Sequence, residues 1–421
     1  MSPPPAPPEL IRVFGRIGVL SFGGPAAQIA LMHRELVDRR PWLTERQYLN
    51  ALSFCMLLPG PEAMQLATYA GWRLRGVPGG LIAGGLFVLP GAAVVLALAF
   101  AYAVWGDLPL VQATFRGVQA AVVVIVVEAL VKVARRALTG AGGRIVAALS
   151  FLAIFALGVP FPAILLAAGA WGAVRRLGAA AGDPAPAGPV PSIAATLRTA
   201  AVWGAIWLVP LGLLWAAGAR TLAEIGTFFA TLAVVTFGGA YAVLAWMAEV
   251  AVEDRGWLTA PQMIDALGLA ETTPGPLILV TEFVGFLAGW GAGGVGLALA
   301  AAAVTLWMTF APCFLWIFAG APWIEAISGR PRLRGALAGI TAAVVGVILN
   351  LSLWFAAHVL FDRVRQVRAG PVDVILPVPA SLDPVALGVA ALSAVLLFRL
   401  RWPLAAILGV AAALGALTAL G

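Results

Sequence analysis

A short pattern of helix breakers occurs twice in this chain, and it limits the possible folds more than any other feature. The first copy reads Ser21-Phe22-Gly23-Gly24, Trp42-Leu43-Thr44 and Pro59-Gly60-Pro61. The second reads Thr236-Phe237-Gly238-Gly239, Trp257-Leu258-Thr259 and Pro274-Gly275-Pro276, each block 215 positions after its counterpart. Met32/Met247, Gln47/Gln262 and Ala51-Leu52/Ala266-Leu267 keep the same register. Separate blocks that never slip mark an internal duplication.

What the duplicated unit folds into follows from its solvent. With 62% hydrophobic and 11% charged residues, most of the chain cannot face water. Several apolar runs exceed the roughly 20 residues that span a bilayer. The chain therefore reads as an all-α polytopic membrane protein, multi-pass in the cell inner (plasma) membrane, with the lipid bilayer as its surroundings. Its net charge of +7 comes from Arg residues in short loops beside apolar segments, where they set topology, so nucleic acid is not implied as a partner. Cys55 and Cys313 both lie inside apolar segments, which argues against a disulfide or a Cys-based metal site. The start, Met1-Ser2-Pro3-Pro4-Pro5, lacks the basic opening and apolar core of a signal peptide and reads as a cytoplasmic lead-in.

In chain order, an apolar segment over about 11–32 is broken at Gly23-Gly24-Pro25. A polar, Arg-rich loop follows. Segments of about 44–58 and 61–75, each too short to cross, meet at Pro59-Gly60-Pro61 as a re-entrant hairpin of half-helices. Full spans are expected at about 79–105, with a kink at Pro90, and 110–133, then a helical hairpin turning at Gly158-Val159-Pro160. After a linker rich in Ala, Gly and Pro and a span at 196–217, the second copy repeats the broken segment (225–247), the hairpin (259–288) and two spans (295–318 and 333–361). A polar excursion through Asp373 and Asp383 precedes two closing helices. The domains are accordingly 1–177, a linker 178–191, and 192–421.

Loop charge suggests how the halves face. Arg34, Arg39, Arg40 and Arg46 in the first half stand opposite Glu249, Glu253, Asp254 and Arg255 in the second, and Gly106-Asp107 opposite Gly329-Arg330. The bias swaps sides. By the positive-inside tendency the two homologous halves form an inverted repeat, each with broken or re-entrant half-helices.

The Ser/Thr-Phe-Gly-Gly, Trp-Leu-Thr and Pro-Gly-Pro blocks, each present twice, resemble the chromate ion transporter family over essentially the whole chain. The resemblance implies a long-chain, two-domain member that exports chromate, with sulfate as the look-alike, and that gives chromate resistance. A sulfate or other oxyanion permease or exchanger remains the alternative.

The residues themselves suit an oxyanion. Pro61 and Pro276 stand where helices begin, so the amides of 62–65 and 277–279 face the turn. Helix N-termini at membrane depth supply donors and positive dipole ends without a buried lysine. The candidate substrate-binding residues are Ser21, Gly23, Gly24, Pro59, Gly60, Pro61 and Gln65 in the first half. In the second they are Thr236, Gly238, Gly239, Thr272, Thr273, Pro274, Gly275 and Pro276. Gln28, Ser53, Thr68 and Thr281 add further donors nearby. The glycines also fit close helix packing. Arg116 and Arg334, each in an Arg-Gly dipeptide opening a long helix, are either anion contacts or snorkelling anchors.

Glu62, Glu271 and Glu282 are candidate proton-coupling carboxylates, because such groups are expensive in hydrocarbon and usually face a cavity, a partner or a proton path. Pairing with Arg73 or Arg75 is the competing reading. Glu128 and Lys132, four apart, read as an ion pair. His33 and His358 are not spaced as metal ligands. The chain lacks Asp-rich metal-diphosphate clusters, a His/Cys constellation and a nucleotide-binding Gly-x-x-x-x-Gly-Lys-Ser/Thr loop. A membrane-embedded enzyme and an ATP-driven pump are thus disfavoured, and no catalytic residue, metal or cofactor is expected. The expected activity is a secondary transporter coupled to protons or to the membrane potential, with monomer and homodimer both open.

Overall fold

The computed structural model describes residues 5–22, 24–138, 140–177, 192–237, 240–324, 331–370 and 372–419. Gly23, Gly238, Gly239, the expected linker 178–191 and the loop residues Gly329-Arg330 lie outside them. The first half comprises α1 (Pro7–Leu20), α2 (Gly24–His33), α3 (Glu45–Cys55), α4 (Glu62–Trp105), α5 (Pro109–Ala137), α6 (Ala141–Leu157) and α7 (Phe161–Arg175). After α8 (Ile193–Ala216) come α9 (Arg220–Val235), α10 (Ala240–Ala248), α11 (Ala260–Thr272), α12 (Val280–Gly320) and α13 (Pro331–Leu360). Strands β1 (Val364–Ala369) and β2 (Val372–Pro377) precede α14 (Pro384–Ala394) and α15 (Leu404–Leu417).

Among the described residues, five segments are long and apolar enough to cross a membrane: Glu62–Trp105, Pro109–Ala137, Ile193–Ala216, Leu277–Trp323 and Pro331–Leu360. The fold is that of an α-helical membrane protein, with one addition. The polar excursion is an antiparallel hairpin pairing Val364 with Pro377 and Ala369 with Val372. Val372-Asp373-Val374 alternates apolar and polar residues as a strand does, whereas Val364 and Val367 in the partner strand are three apart.

Repeated sequence gives repeated local structure. Thr44 caps α3 by accepting from Gln47 N (3.3 Å) while Gln47 Oε1 accepts from Thr44 N (3.0 Å). Thr259 and Gln262 form the same reciprocal cap at 3.4 and 2.9 Å. Ahead of each cap, the amides of Trp42 and Leu43 bond Leu36 O, and those of Trp257 and Leu258 bond Ala251 O. These bonds close π-helical turns at Arg34–Arg39 and Glu249–Asp254, so the Trp-Leu-Thr block works as a loop-to-helix junction. On α1, Leu10, Val13, Phe14 and Ile17 form a buried stripe at helical spacing; their counterparts on α9, Ile225, Phe228, Phe229 and Leu232, are buried too.

The long helices fold back on themselves. In α4 the non-helical dihedrals are at Arg75 and Gly76, not at Pro90; in α12 they are at Gly293 and Gly294. Across the first break Gly71 packs on Gly79, and Gly84 on the Thr68 hydroxyl. Across the second, Gly289 packs on Leu297 and Gly285 on Thr305. Small residues let the two arms approach closely, which is the packing available where lipid removes most of the hydrophobic drive.

The chain divides into two compact units, each built from both copies of the repeat. One contains Met1–Phe100, Gly182–Ala240 and Thr273–Arg330; the other contains Ala101–Ala181, Tyr241–Thr272 and Pro331–Gly421. In the first, α12 packs against α8 and α9, and Gly18 of α1 abuts the Leu86 backbone of α4. In the second, partners are exchanged between copies. Helix α13 packs on α6 and α7, while α5 packs on α14 and α15. Gly335 against Gly172 and Gly117 against Ala411 mark the two close crossings.

Candidate functional site

Each Pro-Gly-Pro turn puts its glycine at positive φ, +111° at Gly60 and +91° at Gly275, a region that a side chain strains. Neither turn is closed by its own half. Gly60 N donates to Thr236 O at 2.8 Å, and Gly275 N donates to Ser21 O at 2.8 Å. The second bond is the first one displaced by the repeat: each turn is pinned to the residue where the other half's broken helix ends.

This reciprocal arrangement frames one cleft, wholly within the first compact unit. Its walls are Pro25, Gln28 and Gly60 to Ala63 from the first copy, and Thr236 with Pro276 to Ile278 from the second. The free space it leaves is narrow, about 10 Å³, room for about one water. No lysine, arginine or histidine is among these lining residues.

The donors available there are backbone amides. Gln65 N already bonds Pro61 O (3.1 Å) and Leu279 N bonds Pro276 O (2.9 Å), so the donor sets are shorter than the expected 62–65 and 277–279. Ala63, Leu277 and Ile278 precede those first helical bonds and line the cleft. The expected hydroxyl donors are turned back onto their own helices: Ser21 to Ile17 O, Thr236 to Leu232 O, Ser53 to Leu49 O, Thr68 to Met64 O, Thr272 to Leu269 O and Thr281 to Ile278 O. A hydroxyl proton so used is not available to a ligand.

Two glutamines brace the turns. Gln65 Nε2 donates to Pro59 O (2.6 Å) and Gln28 Nε2 to Gly275 O (2.7 Å) and Ser21 O (3.4 Å). Both side chains are buried, and Oε1 of each has no hydrogen-bond partner among the described residues.

Glu62 is also on the cleft wall. A unit negative charge about 4 Å from an ionised carboxylate is repelled by about 4 kcal/mol at an effective dielectric of about 20, and a dianion by about twice that. A hydrogen bond to a charged group contributes about 1.5–3 kcal/mol, so two or three amides hold a monoanion against an ionised Glu62 more readily than a dianion.

A family model described as chromate transporter matches residues 8–173 and 223–416, one match in each half. The chromate transport protein of Pseudomonas aeruginosa is 34% identical over 373 residues, covering 87% of this chain and 85% of that protein. That of Cupriavidus metallidurans is 32% identical over 368 residues, 84% of each. The chain belongs to the chromate transporter family. An uncharacterized transporter of Methanocaldococcus jannaschii is 23% identical over 352 residues, covering 84% of this chain and 85% of its own length. No solved structure matches the chain.

Among the residues singled out in this family member's sequence, the cleft brings together Gly60, Pro61, Glu62, Thr236 and Pro276. Ser21, Pro59, Gln65 and Gly275 stand immediately behind it through the bonds just described. Gly24 has φ +77° where α2 begins; Gly23, Gly238 and Gly239 are outside the described residues. Pro274 and buried Thr273 belong to the second turn, whereas Thr272 is exposed. Glu271 and Glu282 do not line the cleft; Glu282 is buried with Oε2 unpartnered. Arg116 and Arg334 belong to the other compact unit. Arg75, weighed as a partner for Glu62, donates to Pro5 O. Glu128 and Lys132 do pair, at 2.7 Å. His33 bonds Glu45 (2.7 Å), and no metal-binding group of side chains occurs among the described residues.

One cluster went unnoticed in the sequence. Asp265 on α11, 4% exposed, accepts from Tyr102 Oη at 2.7 Å and Gln119 Nε2 at 2.8 Å. A carboxylate inside an apolar helix was the available signal, the same one that picked out Glu282.

Proposed function

We propose that the chain is a secondary transporter carrying chromate, or a closely related tetrahedral oxyanion, through the cleft between the two Pro-Gly-Pro turns. The observation that carries this reading is the reciprocal pinning of Gly60 to Thr236 and of Gly275 to Ser21. It brings two helix starts, one from each copy, to a single cleft where backbone amides are the donors and the described lining residues include no lysine, arginine or histidine. Such a site holds an anion without trapping it, as transport requires. The two copies are opposed in the membrane, a proposal resting on the charge swap between the loops at Arg34–Arg39 and Glu249–Asp254. Glu62 is the carboxylate placed to link anion movement to protons; Glu271 and Glu282 are secondary candidates, and Arg116 and Arg334 are candidate contacts elsewhere on the path.

Export is the proposed direction in the cell, and resistance to chromate its consequence. Each negative charge leaving an interior held at −100 mV gains about 2.3 kcal/mol, so efflux runs downhill electrically. Chromate and sulfate flux in right-side-out vesicles tests this. The expected result is chromate movement outward, accelerated by an inside-negative potential. Accelerated uptake under that potential would reverse the direction, and absence of chromate flux in either direction would remove the function.

A further inference from the structure

We infer that the cleft takes its oxyanion in the monoprotonated form, with the ligand's O–H donating to Gln28 Oε1. This rests on the proposed anion site and specifies what that site selects.

Gln28 is 1% exposed and lines the cleft. Its orientation is fixed by neighbours: Nε2 donates to Gly275 O and to Ser21 O, and a flipped amide would turn an acceptor onto both carbonyls. The polar atom left over is Oε1, buried and without a partner among the described residues. A buried acceptor calls for a donor. A fully dissociated tetrahedral oxyanion has none, since its oxygens all accept. It would satisfy the amides of Ala63, Leu277 and Ile278 and still leave Oε1 orphaned. The monoprotonated ion fits both sides, its bare oxygens toward the amides and its O–H toward Gln28.

The second copy does not offer this acceptor. The positions equivalent to Gln28 and Glu62 are Val243 and Leu277, so the second copy has no amide or carboxyl side chain there. Gln28 is then a specificity-determining residue. Chromate and sulfate are close in shape and charge as dianions, but hydrogen chromate gives up its proton near neutrality, whereas hydrogen sulfate keeps its proton only in strong acid. An unpaired buried acceptor rejects the ion that cannot bring a hydrogen.

The test is equilibrium binding of chromate to the purified full-length protein between pH 6 and pH 8.5, with sulfate and selenate as competitors. Glu62 is the one titratable side chain on the lining, and the Cys313 sulfur sits behind Gly60. Apparent affinity for total chromate is expected to fall about tenfold per pH unit at the alkaline end, with sulfate failing to compete at hundredfold excess. Because the proton rides on the ligand, Glu62→Gln should keep that slope. Gln28→Met, close in shape but without the amide oxygen, should flatten the slope and admit sulfate; if it does not fold, the wild-type and Glu62→Gln profiles decide. Chromate affinity that is level or rises with pH, or sulfate competing as well as chromate, overturns the inference while leaving the anion site in place. A slope that disappears in Glu62→Gln also overturns it, by moving the proton to the protein. Failure to bind chromate at any pH overturns the site and the inference together.

Discussion

The two copies of the repeat share a backbone and differ in chemistry. Their caps, π-helical turns and Pro-Gly-Pro glycines superimpose in sequence at one offset, and their cross-copy amide bonds have the same length. Yet Gln28, Glu62 and Gln65 stand opposite Val243, Leu277 and Val280, and Arg34 and Arg39 opposite Glu249 and Asp254. A backbone amide survives any change of side chain, so a site framed by amides keeps its frame while the copies diverge. What was free to change is the polarity of each wall and the charge of each loop.

The largest test of that shared frame is alanine at the turn glycines. Gly60→Ala places a Cβ 2.9 Å from Gln65 Nε2 at φ +111°, and Gly275→Ala places one 2.8 Å from Leu279 Cδ1 at φ +91°. Strain of about 1–3 kcal/mol at each should cut chromate flux on the order of tenfold to a hundredfold, by similar factors, in protein that still purifies as a folded species. Full flux in either variant would break the equivalence of the turns.

The divergent loops predict pH effects of opposite sign. Burial raises the Glu35 carboxyl, but hydrogen bonds from Arg40 and Arg39 outweigh it and hold the pKa below the ordinary value of 4.5. Stability from Glu35 is therefore present above that value and lost as pH falls through the lowered folded pKa. Glu35→Gln should cost about 1–3 kcal/mol at neutral pH in thermal or denaturant unfolding. In the other copy, burial first, then Asp254 and Glu253, raise Glu249 from 4.5 to about 7. Here the folded state holds the proton more tightly, so stability declines as pH rises from about 4.5 to about 7. Glu249→Gln should remove that decline; an unchanged melting profile would mean the carboxyl is solvated.

Topology sharpens the comparison without an energy. Single cysteines at Arg46 and Arg255, in a chain lacking Cys55 and Cys313, should react with an impermeant thiol reagent from opposite faces, and labelling from one face would end the inversion. The smallest effect belongs to Glu128→Gln. The pair it breaks with the exposed Lys132 contributes about 0.3–0.5 kcal/mol, so flux and its pH dependence should barely move.

Much of this was legible in the sequence because Gly and Pro act locally. The breaks near Gly24, Gly60, Gly158 and Gly275 were readable from neighbours a few residues away, and so were the Thr-x-x-Gln caps. What was missed depends on distant partners. Sequence counts hydroxyls but does not say that Ser21 and Thr236 spend theirs on carbonyls four residues back. Nor does it reveal that a carbonyl 247 residues from Gln28 accepts from its Nε2 and so fixes how its amide is turned. The β-hairpin is hard to read because its first strand, Val364-Arg365-Gln366-Val367-Arg368, lacks the alternation that marks a strand.

The crossed bonds at Gly60 and Gly275 also predict where genetic repair should be found. A defect in the Pro59-Gly60-Pro61 turn displaces a bond whose other end is Thr236, so second-site suppressors should cluster around residue 236 rather than in the flanking sequence, and those of a damaged Pro274-Gly275-Pro276 turn around Ser21. Inheritance of function is thereby shared between copies that sit far apart in the chain, and neither can drift alone.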